Sequence, residues 1–223
     1  VDPLNPDLEF DEVIDDLDPA ERQQRIKDAR DLTVRRSFNL SNVRINGIGN
    51  RKTPFPWSPK NFSATYSYNH VYHRDIQTEY NSSKLYNGQL NYTYKTNLKP
   101  WTPFRNVKLL RKSKWLQLIR DFNLSPLPKQ IAVRNNIDRS YTESKARDIT
   151  GNALIIPQFS KTFTWDRNYD LKWDLMKALK VDFNANNNAF IGEPQELRVN
   201  KEAAPDDYAI VRDSVMESIR RFG

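Results

Sequence analysis

Polar and apolar residues alternate strictly along FTWDRNYDLKWDL, residues 163–175. Phe163, Trp165, Tyr169, Leu171, Trp173 and Leu175 take odd positions, and Thr164, Asp166, Asn168, Asp170, Lys172 and Asp174 take even ones. A strand turns successive side chains to opposite faces, so this run is a strand with one greasy and one wet face. After Met176-Lys177-Ala178, Leu179, Val181, Phe183 and Ala185 alternate with Lys180, Asp182, Asn184 and Asn186. Two such runs joined by about three residues predict a β-hairpin over 163–191. Globular strands cluster near about 5–6 residues, whereas a strand tilted across a bilayer needs roughly 9–11. The length favours the membrane.

Face chemistry points the same way. The inner face of a soluble sandwich fills a core about 10 Å thick, usually with β-branched and aliphatic residues. Here the greasy face is Trp, Tyr, Phe and Leu, the mix of a barrel wall meeting lipid between aromatic girdles. Asp166, Asp170, Lys172, Asp174, Asp182, Asn184 and Asn186 are then expected to face a water-filled lumen. Arg167 breaks the pattern, since a cation on the lipid face costs about 2–4 kcal/mol at mid-bilayer and much less near an interface. It is expected near a rim or at a bulge.

Further strands follow the same period. Phe38 and Leu40 alternate with Ser37, Asn39 and Ser41, after which Val43 and Ile45 switch parity, as at a bulge or a strand end. Gly47, Gly49, Pro54, Pro56 and Pro59 mark a loop over 47–60. Phe62, Ala64, Tyr66, Tyr68 and Tyr72 predict a second strand. Beyond a loop over 74–85, Tyr86, Gly88, Leu90, Tyr92 and Tyr94 predict a third. Ile131, Val133, Ile137 and Tyr141 make a fourth, broken at Asn135. The residues expected to face lipid are Phe62, Tyr66, Tyr68, Leu90, Tyr92, Tyr94, Phe163, Trp165, Tyr169, Leu171, Trp173, Leu175, Val181 and Phe183.

Three segments break the strand period. Residues 1–34 read as an acidic linker with a short helix, in which Asp18-Pro19-Ala20-Glu21 supplies an N-cap, a proline at the first helical position and an acid three residues after the cap. Within 97–130, Trp115, Leu116, Ile119 and Phe122 fall at helical spacing beside Arg111, Lys112 and Lys114, predicting a helical insertion with a basic face. Such a helix caps the barrel, docks on core or lies at a membrane surface. Residues 196–223 read as a polar loop followed by an amphipathic helix through Tyr208, Val211, Val215, Ile219 and Phe222. Barrel strands occupy 35–96 and 131–195. The expected class is all-β, about six strands of a very large antiparallel transmembrane barrel with short amphipathic helices in the connections.

Composition narrows the functional classes. Mean hydropathy is −0.80, and no run of 18 apolar residues exists, so helical spans are excluded while alternating strands are not. The chain has no cysteine, which removes disulfides and thiol chemistry. Net charge is +7, but the basic residues are scattered and the aromatics keep strand period, so no nucleic-acid partner is expected. Val1 is not a methionine and no signal peptide precedes it, as expected of a mature or internal piece.

Three features bear on catalytic chemistry. His70 and His73 have H-x-x-H spacing, but positions three apart on a strand face opposite ways and cannot share a metal. Asp166, Asp170 and Asp174 share a face at roughly 13 Å per step, beyond the about 5–9.5 Å of paired glycosidase carboxylates. A lumen-facing charge ladder with Lys172 is the simpler reading, with an Asp174–Asp182 pair across strands as the alternative. No nucleophile elbow, phosphate loop or zinc motif occurs. Neither an enzyme nor a cofactor is expected.

PWSPKNFSATYSYN (56–69), TEYN (78–81), KSKWLQLIRDFN (112–123) and above all FTWDRNYDLKWDLMKALKVDFNANNNAFIGEP (163–194) resemble the SprA/Sov family, in the same order. That family forms the outer-membrane translocon of the bacterial type IX secretion system, and the likeness covers most of 35–223. The resemblance implies an internal fragment of a giant single-chain barrel in the bacterial outer membrane. Folded secretion substrates pass through its lumen, and some relatives support gliding motility. It also implies partners: the remaining strands of the parent barrel, a PorV-type accessory barrel, a periplasmic plug protein, secreted protein substrates and lipid. Six strands cannot close alone, since bacterial barrels start at eight. Loops 46–61 and 96–130 and the tight turn 176–178 fall on one side, which short turns would make periplasmic. Rival readings are another outer-membrane barrel such as a TonB-dependent receptor, and a soluble carbohydrate-binding β-sandwich stacking Trp and Tyr on sugars.

Overall fold

The computed structural model describes residues 2, 7–46, 55–106, 119, 121–148, 154–195, 197 and 205–222. Its body is one six-stranded antiparallel sheet in sequence order, β1 (Leu32–Arg44), β2 (Phe62–Arg74), β3 (Thr78–Lys95), β4 (Gln130–Ala146), β5 (Gln158–Trp173) and β6 (Val181–Phe190). The chain is therefore all-β in plan, and the sheet is open, with β1 and β6 as its edges. Among the described residues three α-helices accompany it: α1 (Phe10–Asp15), α2 (Pro19–Ala29) and α3 (Pro205–Phe222).

Helix α2 begins where its cap signature lies, with Pro19 at the first position, but the Asp18 side chain makes no capping hydrogen bond. The mixed charge of α2 serves tertiary contacts: Asp28 pairs with Arg147 at 3.1 Å, just past the end of β4. α3 meets the chain after β6, where Ser214 Oγ donates to the Gly192 carbonyl at 3.3 Å.

Strand lengths run from 10 to 18 residues. At roughly 3.3 Å per residue, β3 extends about 60 Å, far beyond an ordinary globular strand. The parity switch after Leu40 is a bulge: Leu40 pairs with Tyr66 but Val43 with Ala64, so three steps on β1 match two on β2. Asn42 takes the left-handed conformation there, with φ 53°. Its amide donates to Thr65 Oγ1, and its Oδ1 accepts from Arg44 Nε at 2.8 Å.

Five expectations need correction. The loop over 74–85 shrinks to Asp75–Gln77, because β3 starts at Thr78. Residues 78–85 lack a greasy face, yet backbone pairing to β2 and β4 holds them extended. β4 is unbroken at Asn135, which pairs with Leu90 and Arg167. The β5–β6 connection takes seven residues, 174–180, and Met176 and Leu179 exchange backbone hydrogen bonds at its tip. The tightest turn is thus Asp75–Gln77, at the opposite end of the sheet from 174–180. Arg167 lies neither at a rim nor at a bulge: its pairing to Asn135 and Asn187 is continuous with the rest of β5. The helix expected within 97–130 falls mostly on 107–118 and 120, outside the described residues.

Candidate functional site

The functional surface is the pair of sheet faces, and cross-strand register decides which side chains share each. Trp165 lies opposite Ile137 and Ala189, Ile137 opposite Gly88, Gly88 opposite Tyr66, and Tyr66 opposite Leu40. The next row toward the 174–180 end but one holds Phe62, Tyr92, Val133, Tyr169 and Ala185. Beyond it come Tyr94, Ile131, Leu171 and Phe183, and then Trp173 with Val181. On the other side of Trp165, Phe163, Arg139, Tyr86, Tyr68 and Phe38 form a row. Leu90 sits between Ala64 and Asn135 in the row of Arg167. One face thus gathers Phe62, Tyr66, Tyr68, Leu90, Tyr92, Tyr94, Phe163, Trp165, Tyr169, Leu171, Trp173, Val181 and Phe183. Leu175 lies past the end of β5 in the connecting turn, its carbonyl accepting the Ser125 amide at 2.9 Å.

From Phe163 to Trp173 the band spans ten residue steps, roughly 33 Å along the strand. At a tilt of about 40° that projects to about 25 Å, the height of the outward apolar band of outer-membrane barrels. Aromatic residues crowd both margins. Tyr68 and Tyr86 have ring centroids 5.0 Å apart at one, Tyr94 and Trp173 lie toward the other, and Phe62 and Tyr92 stand 5.0 Å apart two rows inside it. All described strands belong to this one sheet, and the band is open over its middle and edge strands. Phe38 is 51% exposed, Val43 52% and Phe183 52%. Toward the 174–180 end, however, Tyr94 is 1% exposed and Trp173 Nε1 donates to the Ser125 carbonyl at 2.8 Å.

Arg167 is the exception within the band. It is 8% exposed, with its guanidinium 4.4 Å from the centre of the Trp165 ring, and its backbone pairs with Asn135 and Asn187. Alternation predicted its face, but the neighbours that accommodate it come from other strands.

The opposite face is mainly polar, with Val71, Leu85, Ala132 and Phe190 among its apolar members. Asp166 pairs with Asn136 and Asn188, Asp170 with Ala132 and Asn184, Asn168 with Arg134 and Asn186, and Lys172 with Gln130 and Asp182. Asp182 therefore faces Lys172 rather than Asp174, which rules out the Asp174–Asp182 pair. Asp174 lies beyond β5 and meets Lys129 at 3.7 Å. Farther along, Asn136 Nδ2 donates to Asp138 Oδ2, as Asn87 Nδ2 does to Oδ1, and Ser140 meets Thr162 at 2.6 Å. These groups satisfy one another laterally, as suits a wall that water wets.

His70 and His73 stand on opposite faces. His70 Nε2 meets Ser82 Oγ at 3.0 Å, while His73 sits between Thr33 Oγ1 and Asp75, each at 3.0 Å. Among the described residues no group of three His, Asp or Glu side chains gathers at metal-binding distance. In the β2–β3 turn, burial alone would raise the Asp75 pKa. Hydrogen bonds from His73 and from the Thr78 and Gln77 amides outweigh it, so the carboxyl titrates below the usual range.

Beyond the Phe163 row the apolar face becomes charged, with Arg36, His70, Lys84, Tyr141 and Lys161 in register. Lys161 is buried against the chain after β6, its ammonium donating to the Pro194 and Leu197 carbonyls. Gln195 Oε1 accepts the Lys161 amide at 3.0 Å, and Ile191 N donates to the Phe163 carbonyl at 2.8 Å. No protein-family model matches the chain, and no curated protein matches it.

Proposed function

We propose that this chain is a segment of a transmembrane β-barrel in a bacterial outer membrane, walling the conduit of a protein-secretion translocon of the type IX kind. The observation that carries the reading is the aromatic band about 25 Å tall, largely open and backed by a mainly polar face. A soluble sheet buries its apolar face under a second layer, because exposing that much oil to water is unfavourable. Lipid tails remove the penalty without a second layer. The two unpaired edges call for further strands of the parent barrel, since no backbone polar group can stay unsatisfied in hydrocarbon. The likeness of 56–69, 112–123 and 163–194 to the SprA/Sov translocons supplies the cargo: folded proteins passing along the polar face, with a PorV-type barrel and a periplasmic plug as partners. The conduit acts passively, its Asn, Ser, Thr and paired charges offering cargo few apolar footholds, Leu85 and Phe190 among them. Outer-membrane barrels keep short turns on the periplasmic side, which favours that side for the three-residue Asp75 turn and the outside for 45–61, 96–129 and 174–180.

The cysteine-free chain allows a direct test. Single cysteines at Leu40, Tyr66 and Ile137, and at Ser67, Gln89 and Asn136, carry a fluorophore in lipid bilayers. Brominated acyl chains should quench the first set and aqueous iodide the second. Equal iodide quenching of both sets, together with a monomeric chain in detergent-free buffer, would overturn the proposal in favour of a soluble β-protein.

A further inference from the structure

Arg36, His70 and Lys84 stand directly opposite one another on β1, β2 and β3, on the apolar face. The row lies one step outside the aromatic margin, where Phe38, Tyr68 and Tyr86 occupy the same three strands. Arg36 and Lys84 thus flank His70, two cations on alternate strands of one row. Among the described residues no carboxylate forms an ion pair with Arg36 or Lys84. Lys84 has instead the Tyr141 ring, 6.0 Å from its ammonium. Glu143, one row farther out on this face, takes the Tyr80 and Tyr141 hydroxyls at 2.8 Å each, and Glu193, against the row on the other side, takes Arg139. Lys161, at the end of the row, is occupied by backbone carbonyls.

We propose that Arg36 and Lys84, bridging over His70, bind the phosphate of an anionic lipid headgroup. The backbones of β1 and β3 lie two strand spacings apart, roughly 10 Å, within the joint reach of two long cationic side chains. Tyr and Trp belts sit at headgroup level in membranes, so cations one step outside such a belt meet the phosphate layer. A phosphate between them would pair with both cations, and the guanidinium grips it in a fork. The inference rests on the membrane reading above and deepens it by naming a lipid contact.

The test titrates phosphatidylglycerol, phosphatidylcholine and inorganic phosphate separately into the full chain in uncharged detergent micelles. The parent chain should prefer phosphatidylglycerol over phosphatidylcholine by about tenfold or more. The double variant R36Q/K84Q should lose the preference, and Lys84→Arg should keep it. R35Q/K95Q removes the same charge from the polar face and should leave the preference intact. Circular dichroism on each variant confirms that the sheet persists. No preference in the parent chain, or equal loss in both double variants, overturns the site. Tighter binding of inorganic phosphate than of phosphatidylglycerol, abolished by R36Q/K84Q, overturns the lipid source and leaves a soluble anion. Iodide quenching at Leu40 and Ile137 with that phosphate binding retained would sink the membrane reading instead.

Discussion

Arg139 and Glu193 meet in a forked ion pair, Nε to Oε1 at 2.7 Å and Nη2 to Oε2 at 2.8 Å. The Glu193 side chain is 2% exposed and that of Arg139 28%, so the pair sits largely out of water. It ties the chain after β6 to the middle of β4, with the guanidinium 5.7 Å from the Phe163 ring. Removing one partner of a buried pair strands the other charge, so Glu193→Ala should destabilise by on the order of 3 kcal/mol. Replacing both, as R139M/E193L, should recover most of the loss. Denaturant unfolding of the three variants in one detergent checks the cycle. An additive double variant would mean that the two residues do not act together.

The β2–β3 turn should weaken in acid. Asp75 has its pKa lowered in the fold, so its contribution is complete above the ordinary carboxylate pKa of about 3.9. It fades as pH falls through the lowered folded value. Amide exchange at Gln77 and Thr78, followed from pH 5 to pH 2, should speed at the acid end beyond the intrinsic pH trend. Asp75→Asn should abolish that excess.

Neighbouring positions on opposite faces should respond oppositely to charge. Ile137→Arg places a cation in the apolar band and should cost about 2–4 kcal/mol in a bilayer. Asn136→Arg, on the polar face, should cost well under half of that. Unfolding from lipid vesicles reads both, and equal costs would argue against a lipid-facing band.

Gly88 interrupts the aromatic band between Tyr66 and Ile137, and a Cβ built there meets nothing within 4 Å. Gly88→Ala should therefore stabilise the sheet by about 0.5–1 kcal/mol, by restricting the unfolded chain. A shift of the unfolding midpoint to higher denaturant checks it.

The sequence was legible where one face is oily. Alternation from Phe163 to Trp173 and from Phe62 to Tyr72 located β5 and β2, and the parity switch after Leu40 located the bulge. It failed where a strand continues past the band. Thr78–Leu85 carries Ser82 and Lys84 where an aromatic would have signalled a strand, and only its two neighbours hold it extended. Asn135 read as a break because its purpose lies on other strands, beside Arg167 and Leu90. The turn 174–180 was misjudged because Leu175 and Leu179 prolong the alternation beyond the last paired residues. The cation row had no signature at all, since Arg36, His70 and Lys84 are adjacent only once register is known.

The bulge at Asn42 also decides where the gene tolerates a change of length. Elsewhere in a strand, losing one codon would invert every downstream side chain, exchanging the apolar and polar faces. Between Leu40 and Val43 the spare residue is already there, so deleting Asn42 would leave Val43 opposite Ala64 and only straighten the edge. That single position is a slack link in a chain otherwise read in strict twos.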